Sequence, residues 1–327
     1  MMTSDPVEYA ESLVSSGRSS DAVKVIAEAS QADHPGALFQ QAIWRLIGAP
    51  ISRDLPEAIR LLRRAAEAGN CKAAQMEVCL LANGAGGRPN WQAAIASLKI
   101  YRDRIGVGKH DLSIISEMDI NEDGFPANRF ESIPLVHDGS IRLFPHFATE
   151  KECHYLADAA IDLLAPALVR DPRSGQNVPH PVRTAHSALF GPTREHVPVY
   201  AVNQRIASVS GTHITQGEAL TILRYERGQQ FRLHSDALGN TKNERSATFL
   251  LYLNEGYEGG ETVFPFYELT IKPQTGFGVL FTNTLGNGVV DPSKHHAGRP
   301  VVFGTKWLAT RWIRSRSFNQ WNGPELA

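Results

Sequence analysis

Apolar residues in the first hundred positions recur with the spacing of amphipathic helices. Residues 35–50 (PGALFQQAIWRLIGAP) and 55–70 (LPEAIRLLRRAAEAGN) carry apolar side chains every three or four positions. Residues 71–86 and 90–105 continue the same pattern. Gly84 follows one of these apolar runs, where a C-terminal cap glycine is expected. The pattern predicts pairs of short antiparallel helices.

The helical segments repeat with a spacing of 36 residues. Small residues recur at equivalent positions, namely Ala22 with Ala58 and Ala94, and Ala37 with Ala73. A period in the middle thirties built of helix pairs is typical of an α-solenoid. The phrase AAEAGNCKA at residues 65–73 resembles Sel1-like repeats, which are relatives of the tetratricopeptide repeat. The resemblance covers roughly residues 20–105 and implies a surface for a protein partner, while a stabilising or oligomerising appendage remains the alternative.

A different pattern begins near Glu218, where short runs of β-branched and aromatic residues are separated by Gly, Pro and Asn. Such runs predict antiparallel strands in a sandwich or barrel, and we interpret them as a two-sheet jelly roll. Two helices are expected before the strands. One begins at the capping box formed by Thr149 and Glu152, and the other covers residues 197–209.

The segment at residues 106–136 shows no sustained periodicity and is interpreted as a linker. The chain is therefore predicted to be an α+β multidomain protein. Helical repeats at residues 1–105 precede the linker, and a jelly roll with flanking helices occupies residues 137–327.

Composition excludes several classes of protein. The chain has 327 residues and a formal net charge of −1, which gives no electrostatic footprint for nucleic acid or an anionic membrane. Its three cysteines lack the spacing of a zinc site or a disulfide framework. We find neither a signal peptide nor an apolar run of the ~20 residues that a membrane span needs, so a cytoplasmic location is expected.

The candidate chemistry lies in two stretches of the strand-rich half. His234 and Asp236 are two residues apart, so in an extended strand their side chains point to the same face. A second histidine, His296, can join them from a distant strand. Two histidines and one carboxylate form a facial triad that suits non-haem Fe(II), because it leaves coordination positions open. Lys306 lies on a strand face with leucine and tryptophan, and a buried ammonium there requires an anionic partner.

Three motifs occur in order: YERGQQFRLHSD at residues 225–236, GGET at residues 259–262, and HAGRPVVFGTKWLATRWI at residues 296–313. Together they resemble the prolyl 4-hydroxylase branch of the Fe(II)- and 2-oxoglutarate-dependent dioxygenases, over about residues 137–318. The resemblance implies a double-stranded β-helix fold. It also implies Fe(II) as the metal, 2-oxoglutarate and O2 as cosubstrates, and ascorbate as a further ligand.

The resemblance also implies roles for individual residues. The implied iron ligands are His234, Asp236 and His296. The residues implied to bind 2-oxoglutarate are Lys306, Tyr225, Tyr252 and Thr262. Arg183 matches an arginine near the peptide groove of the family. From the residues alone, Tyr225 and Tyr252 could equally be core aromatics, and alignment on AGRPV selects His296 rather than the adjacent His295.

The substrate is less well defined than the cofactors. The resemblance implies hydroxylation of a prolyl residue in a peptide or protein, with succinate and CO2 as coproducts. Ala185 stands where the family motif has serine, and Phe231 stands where some members have a tyrosine that reaches the substrate. Another side chain or a small metabolite therefore remains an alternative target, and a non-catalytic partner-binding scaffold is the alternative from a different class.

Overall fold

The computed structural model describes residues 5–170, 177–179, 182–239 and 241–321. The chain forms two compact units. The first unit comprises Met1–Met118, Glu122–Gly124 and Pro192–Tyr200, and the second comprises the remaining residues.

Seven helices lie within residues 5–118, the described N-terminal part of the first unit. Their bounds are α1 Pro6–Ser15, α2 Ser19–Gln31, α3 Pro35–Ile47, α4 Leu55–Glu67, α5 Cys71–Asn83, α6 Trp91–Ile105 and α7 Lys109–Glu117. Short polar side chains begin three of them, because the side chains of Asp54, Asn70 and Asn90 accept hydrogen bonds from backbone N–H groups in the first turn. Gly48 and Gly84 end α3 and α5 in the left-handed conformation.

Helices α1 to α6 each pack against the next helix in sequence. The alanines at equivalent positions, Ala22, Ala58 and Ala94, are fully buried. A small side chain at a buried helix contact allows two helix backbones to approach closely, which explains why alanine recurs with the repeat. The helices expected from the hydrophobic pattern are therefore present and pack in sequence order, while their antiparallel pairing and the Sel1-like assignment stay predictions.

Part of the segment interpreted as a linker is helical. Helix α7 lies within residues 106–136, and its Ile114 is buried. Nine residues give about two and a half helical turns, which is too short for a periodic pattern to stand out from the flanking polar sequence. The segment therefore contains ordered structure that the sequence did not indicate.

The second unit contains antiparallel sheets and flanking helices. The strands are β1 Ile133–Pro134, β2 Ile141–Phe144, β3 Ala165–Pro166, β4 Leu168–Arg170, β5 Asn177–Pro179, β6 His186–Phe190, β7 Leu220–Tyr225, β8 Phe231–His234, β9 Arg245–Tyr252, β10 Glu258–Gly259, β11 Thr262–Phe264, β12 Leu269–Ile271, β13 Gly278–Thr282, β14 His296–Gly298, β15 Val301–Phe303 and β16 Lys306–Arg314. The two longer helices are α8 Glu150–Asp158 and α9 Val197–Ser210, and α9 belongs to the second unit from Ala201 onward. Every strand pairing among the described residues is antiparallel, as the sequence predicted.

Two of the sheets supply the candidate site. The larger one has eight strands in the order β1-β2-β13-β9-β16-β7-β6-β3, and the smaller one has four in the order β12-β11-β14-β8. A hydrophobic core contains side chains from both sheets, among them Leu223 and Leu308 from the larger and Phe264 from the smaller. Side chains that alternate along β7, β9 and β16 therefore face those of β8, β11 and β14.

The helices next to the sheets begin where the sequence indicated. The Thr149 hydroxyl accepts from the Glu152 N–H and the Glu152 carboxylate accepts from the Thr149 N–H, so the predicted capping box is confirmed. Within the described ranges, no helix has the length and apolar character needed to cross a bilayer. The cytoplasmic location stays a prediction.

Candidate metal and cosubstrate site

Strand pairing in the smaller sheet brings three potential metal ligands together. His234 ends β8, His296 begins β14, and the two residues are direct partners in the antiparallel ladder. Asp236 follows β8 by two positions. The ligand atoms of these three residues lie within 4.8 Å of one another, and no other such group of histidine, cysteine and acidic residues occurs in the part of the chain that the structure describes.

Backbone carbonyls fix the tautomers of both histidines. Nδ1 of His234 lies 2.8 Å from the Arg232 carbonyl oxygen, and Nδ1 of His296 lies 3.1 Å from the Lys294 carbonyl oxygen. A carbonyl only accepts, so each Nδ1 carries a proton, and in the neutral imidazole Nε2 then keeps its lone pair. These Nε2 atoms lie 3.4 Å (His234) and 3.7 Å (His296) from carboxylate oxygens of Asp236.

The charge states of the cluster suit a cation. Burial by itself would raise the pKa of Asp236, but the two histidines and a hydrogen bond from Thr248 outweigh burial and hold that pKa well below its usual range. Burial lowers the pKa of His296 to about 4. At neutral pH the cluster therefore contains a carboxylate and a neutral His296, both in the form that binds a metal.

Aromatic rings pack around the two histidines. The ring of Phe231 stacks on His234 at a centroid distance of 3.4 Å, and the rings of Phe264 and Phe281 lie 5.2 and 4.8 Å from His296. His234 Nε2 is buried and has no hydrogen-bond partner among the described residues. A buried ring nitrogen without a partner is costly, and a metal ion would satisfy it.

The cluster lines a cavity that also contains Lys306. The polar side chains that line this cavity are Tyr225, His234, Asp236, Thr262, His296, Lys306, Thr310 and Trp312. Lys306 is 3% exposed, and its Nζ donates to the Gly260 carbonyl oxygen at 2.7 Å. Burial lowers the pKa of Lys306 to about 8, so the ammonium is the prevailing form at neutral pH.

Of the other three residues proposed to bind the cosubstrate, two line the cavity and one lies behind its wall. Tyr225 and Thr262 line the cavity together with Lys306. Tyr252 is fully buried, and its hydroxyl donates to Thr262 Oγ1 at 2.7 Å. The rings of Tyr225 and Tyr252 lie 5.4 and 5.6 Å from Lys306 Nζ. Tyr252 therefore contacts the cavity wall through Thr262 and flanks the lysine with its ring.

Arg183 lies beside the cluster without lining the cavity. It forms an isolated bridge with Phe231, and its guanidinium lies 5.6 Å from the Phe231 ring centroid. Burial lowers the pKa of Arg183. Arg183, Phe231 and His234 thus form a continuous series of stacked groups that ends at a candidate metal ligand. His295 is outside the cluster, and its Nδ1 contacts the Pro292 carbonyl oxygen.

Three residues of the site were given no role from the sequence, although two of them, Thr310 and Trp312, share the predicted strand face of Lys306. Thr248 donates its hydroxyl to Asp236 Oδ2 at 2.8 Å. Thr310 Oγ1 and Trp312 Nε1 are buried in the cavity wall and have no hydrogen-bond partner in the described part of the chain. Their alternation with Lys306 along β16 was visible in the sequence, and it was the available signal for Thr310 and Trp312.

Comparisons with known proteins agree with this geometry. The model of the 2OG-Fe(II) oxygenase superfamily matches residues 220–314. Probable prolyl 4-hydroxylase 9 of Arabidopsis thaliana is 34% identical over 196 residues, which cover 53% of this chain and 68% of that protein. Probable prolyl 4-hydroxylase 6 of the same plant is 35% identical over 202 residues, covering 54% of this chain and 70% of that protein.

A solved structure is also similar. Viral collagen prolyl hydroxylase from Paramecium Bursaria Chlorella virus-1, as its 2OG complex, is 27% identical with a TM-score of 0.45, and the match covers 55% of this chain and 99% of that one.

Proposed function

The chain belongs to the prolyl 4-hydroxylase-like 2OG-Fe(II) oxygenases, and from that membership we propose that it hydroxylates a prolyl residue of a peptide or protein. It is a 2-oxoglutarate-dependent dioxygenase that uses Fe(II), 2-oxoglutarate and O2. The observation that carries the proposal is a single cavity that contains both the His–Asp–His cluster and a buried lysine.

His234, Asp236 and His296 would hold the iron. The fit rests on the unpartnered Nε2 of His234 and on the tautomers that leave both Nε2 atoms free to coordinate. Two imidazoles and one carboxylate are the ligand set that non-haem Fe(II) oxygenases use. Bound Fe(II), together with 2-oxoglutarate and O2, would supply the oxidising power that breaks a C–H bond. Succinate and CO2 are the coproducts.

Lys306 would hold the distal carboxylate of 2-oxoglutarate. Within the described residues its ammonium hydrogen-bonds only to the Gly260 backbone carbonyl, so a carboxylate would supply the anionic partner that a buried ammonium needs. Tyr225 and Thr262 lie on the same wall and can donate to that carboxylate. Tyr252 would orient the Thr262 hydroxyl, since its own hydroxyl donates to Thr262 Oγ1.

The apolar part of the cavity wall supports a substrate group without charge. Leu223, Leu250 and Leu308 line it together with Phe231. A pyrrolidine ring can pack against such a surface without leaving a buried polar group unsatisfied. Arg183, which stacks on Phe231, would contact the peptide that carries the proline.

The most direct experiment follows succinate formation from 2-oxoglutarate in the presence of Fe(II), ascorbate and short peptides that contain one proline each. Mass spectrometry should show one added oxygen, and amino-acid analysis should locate it on C4 of the proline. Matched peptides with alanine in place of proline should gain no oxygen. His234→Ala should abolish turnover because it removes an iron ligand, whereas His137→Ala, which changes an exposed histidine of the same unit, should leave it unchanged.

Other outcomes would point to the alternatives. Oxygen on a different side chain, or succinate release stimulated only by small metabolites, would contradict the prolyl assignment while leaving the dioxygenase intact. A wild-type chain that binds neither Fe(II) nor 2-oxoglutarate would favour a partner-binding scaffold.

For the architecture, we propose that the two sheets of the second unit form the double-stranded β-helix of a domain at residues 137–327. Residues 1–105 would form a Sel1-like α-solenoid that holds a protein partner, with residues 106–136 as the connection. The sequential packing of helices α1 to α6 supports a solenoid. Removing residues 1–105 should spare the hydroxylation of short peptides and slow that of a full-length protein substrate. An equal loss on both substrates would favour the stabilising alternative.

A further inference from the structure

Four buried polar residues close to the candidate ligands have no direct part in the proposed chemistry. Thr248 is fully buried, Asn283 and Lys294 are each 2% exposed, and Asp291 is 8% exposed. Burying polar groups costs free energy unless they are hydrogen-bonded to one another. Their hydrogen bonds form two branches that meet in the segment at residues 283–294.

The first branch leads from Asp236 to Asn283. Asn283 Nδ2 donates to Thr248 Oγ1 at 2.9 Å, and the Thr248 hydroxyl donates to Asp236 Oδ2 at 2.8 Å. An amide NH2 group can only donate, so it leaves the threonine hydroxyl proton available for the carboxylate. The Asn283 backbone is itself fixed, because its N–H donates to the Ser246 carbonyl oxygen at 2.8 Å.

The second branch leads from Asn283 to His296. The Asp291 N–H donates to the Asn283 carbonyl oxygen at 2.9 Å, and the Asp291 carboxylate lies 2.9 Å from Lys294 Nζ. The Lys294 ammonium also donates to the hydroxyl of Tyr267. The carbonyl oxygen of Lys294 then accepts from Nδ1 of His296 at 3.1 Å.

The ends and the middle of the segment differ in burial. Leu285 and Val289 are 47% and 56% exposed, while Asn283 and Lys294 at the two ends are each 2% exposed. The middle contains an antiparallel bridge between Thr284 and Val290. The segment is thus a surface hairpin with two buried ends. The Asn283 end reaches Asp236 through Thr248, and the Lys294 end contacts His296 through its carbonyl oxygen.

We propose that the segment at residues 283–294 is a positioning element that holds Asp236 and His296 in one fixed arrangement for the metal, through Thr248 at one end and Lys294 at the other. Thr248 restrains the rotation of the Asp236 carboxylate. Lys294, anchored by Asp291 and Tyr267, presents the carbonyl oxygen that fixes the His296 ring. This inference rests on the proposed ligand set, and it assigns to Thr248 and Lys294 a role in metal affinity that a purely structural residue would not have.

The test measures Co(II) binding to the full-length apoprotein, by titration of the visible absorption spectrum without turnover. Thr248→Val and Lys294→Met keep the side-chain size and remove the polar contact. Thr248→Val removes a hydrogen-bond partner of Asp236 and should raise the Co(II) dissociation constant by about 10- to 100-fold, the range found when partners of metal ligands are removed. Lys294→Met keeps the carbonyl oxygen that contacts His296 and removes its anchor, so it should raise the constant by a smaller factor. Thr248→Ser keeps the hydroxyl and should restore affinity and spectrum to nearly those of the wild type.

Glu152→Gln is the matched control. It removes a buried charge that is paired with Arg205 in the same unit, outside both branches of hydrogen bonds. It should lower the melting temperature of the apoprotein and leave the Co(II) dissociation constant unchanged. Melting curves of every apoprotein variant separate a loss of folding from a loss of affinity.

A double-mutant cycle tests whether the segment acts as one element. If both branches of hydrogen bonds depend on the segment, the Co(II) dissociation constant of the Thr248→Val, Lys294→Met double variant should rise by less than the product of the two single-variant factors. Fully multiplicative losses, or unchanged constants in both single variants, would overturn the inference while leaving the proposed function standing. A wild-type apoprotein that binds no Co(II) would overturn the proposed function and this inference with it.

Discussion

Lys306 offers the sharpest test of the cosubstrate site. Lys306 is 3% exposed and lines the cavity, and replacing it with methionine keeps most of the side-chain volume while removing the ammonium. A hydrogen bond to a charged group contributes about 1.5–3 kcal/mol. Since about 1.4 kcal/mol corresponds to a factor of ten, Lys306→Met should raise the KM for 2-oxoglutarate roughly 10- to 150-fold.

The assay is the initial rate of succinate formation across a range of 2-oxoglutarate concentrations at saturating peptide. Lys272→Met removes the same charge from an exposed position of the second unit and serves as the control for net charge. The Co(II) dissociation constant should be unaffected by Lys306→Met, because a lysine ammonium has no lone pair with which to bind a metal. An unchanged KM for 2-oxoglutarate would refute the assignment of Lys306 to the cosubstrate, and a simultaneous loss of Co(II) binding would assign the lysine to the metal site instead.

Three further predictions follow from buried groups in the second unit. Burial lowers the pKa of Lys306 to about 8, and the cation is the form that binds a dicarboxylate. The KM for 2-oxoglutarate should therefore be constant below about pH 8 and rise above it, and Lys306→Met should show no such rise. A KM that stays constant up to about pH 9.5 in the wild type would contradict this. Thr310 Oγ1 has no hydrogen-bond partner within the described residues, so Thr310→Val should leave the midpoint of urea unfolding unchanged or slightly higher. If the hydroxyl contacts a bound molecule, the same variant should lower kcat/KM by about tenfold. A lower midpoint would instead reveal a hydrogen bond within the protein. Arg205 pairs with Glu152 at 2.7 Å, and both side chains are buried. Arg205→Met should therefore lower the free energy of unfolding by about 3–5 kcal/mol, measured by urea denaturation. A loss below about 1 kcal/mol would mean that the carboxylate is satisfied without the arginine.

The parts of the fold that the sequence predicted are those encoded by local patterns. The Thr149–Glu152 capping box and the buried alanines of the helical unit depend on contacts within a turn or on a repeated position. The antiparallel strands followed from short β-branched runs separated by turn residues. Helix α7 was missed because its nine residues provide too few turns for a periodic signal.

The residues of the candidate site likewise fall into those that local spacing predicted and those that depend on contacts between distant strands. The i, i+2 spacing of His234 and Asp236 predicted that their side chains lie together. β8 ends at His234, so Asp236 is outside the strand, but the two side chains are in contact. The hydrogen bond from Tyr252 to Thr262 could not be predicted, because it depends on how β9 of one sheet faces β11 of the other. Thr248 gave no signal at all, since a threonine in a strand is common and its bond to Asp236 requires the register of several strands.

Strand register also explains why a second support for the ligands would matter. His296 faces His234 in the ladder between β14 and β8, but the register of that ladder shifts between His296 and Gly298. A slip of one residue in a strand turns every side chain to the opposite face, and β14 has only three residues with which to resist a slip. The segment at residues 283–294 contacts His296 independently of the ladder, because the Lys294 carbonyl oxygen accepts from the His296 ring directly. A hydrogen-bonded connection to Asp236 through buried groups would therefore restrain the distance between two candidate ligands independently of the strand ladder.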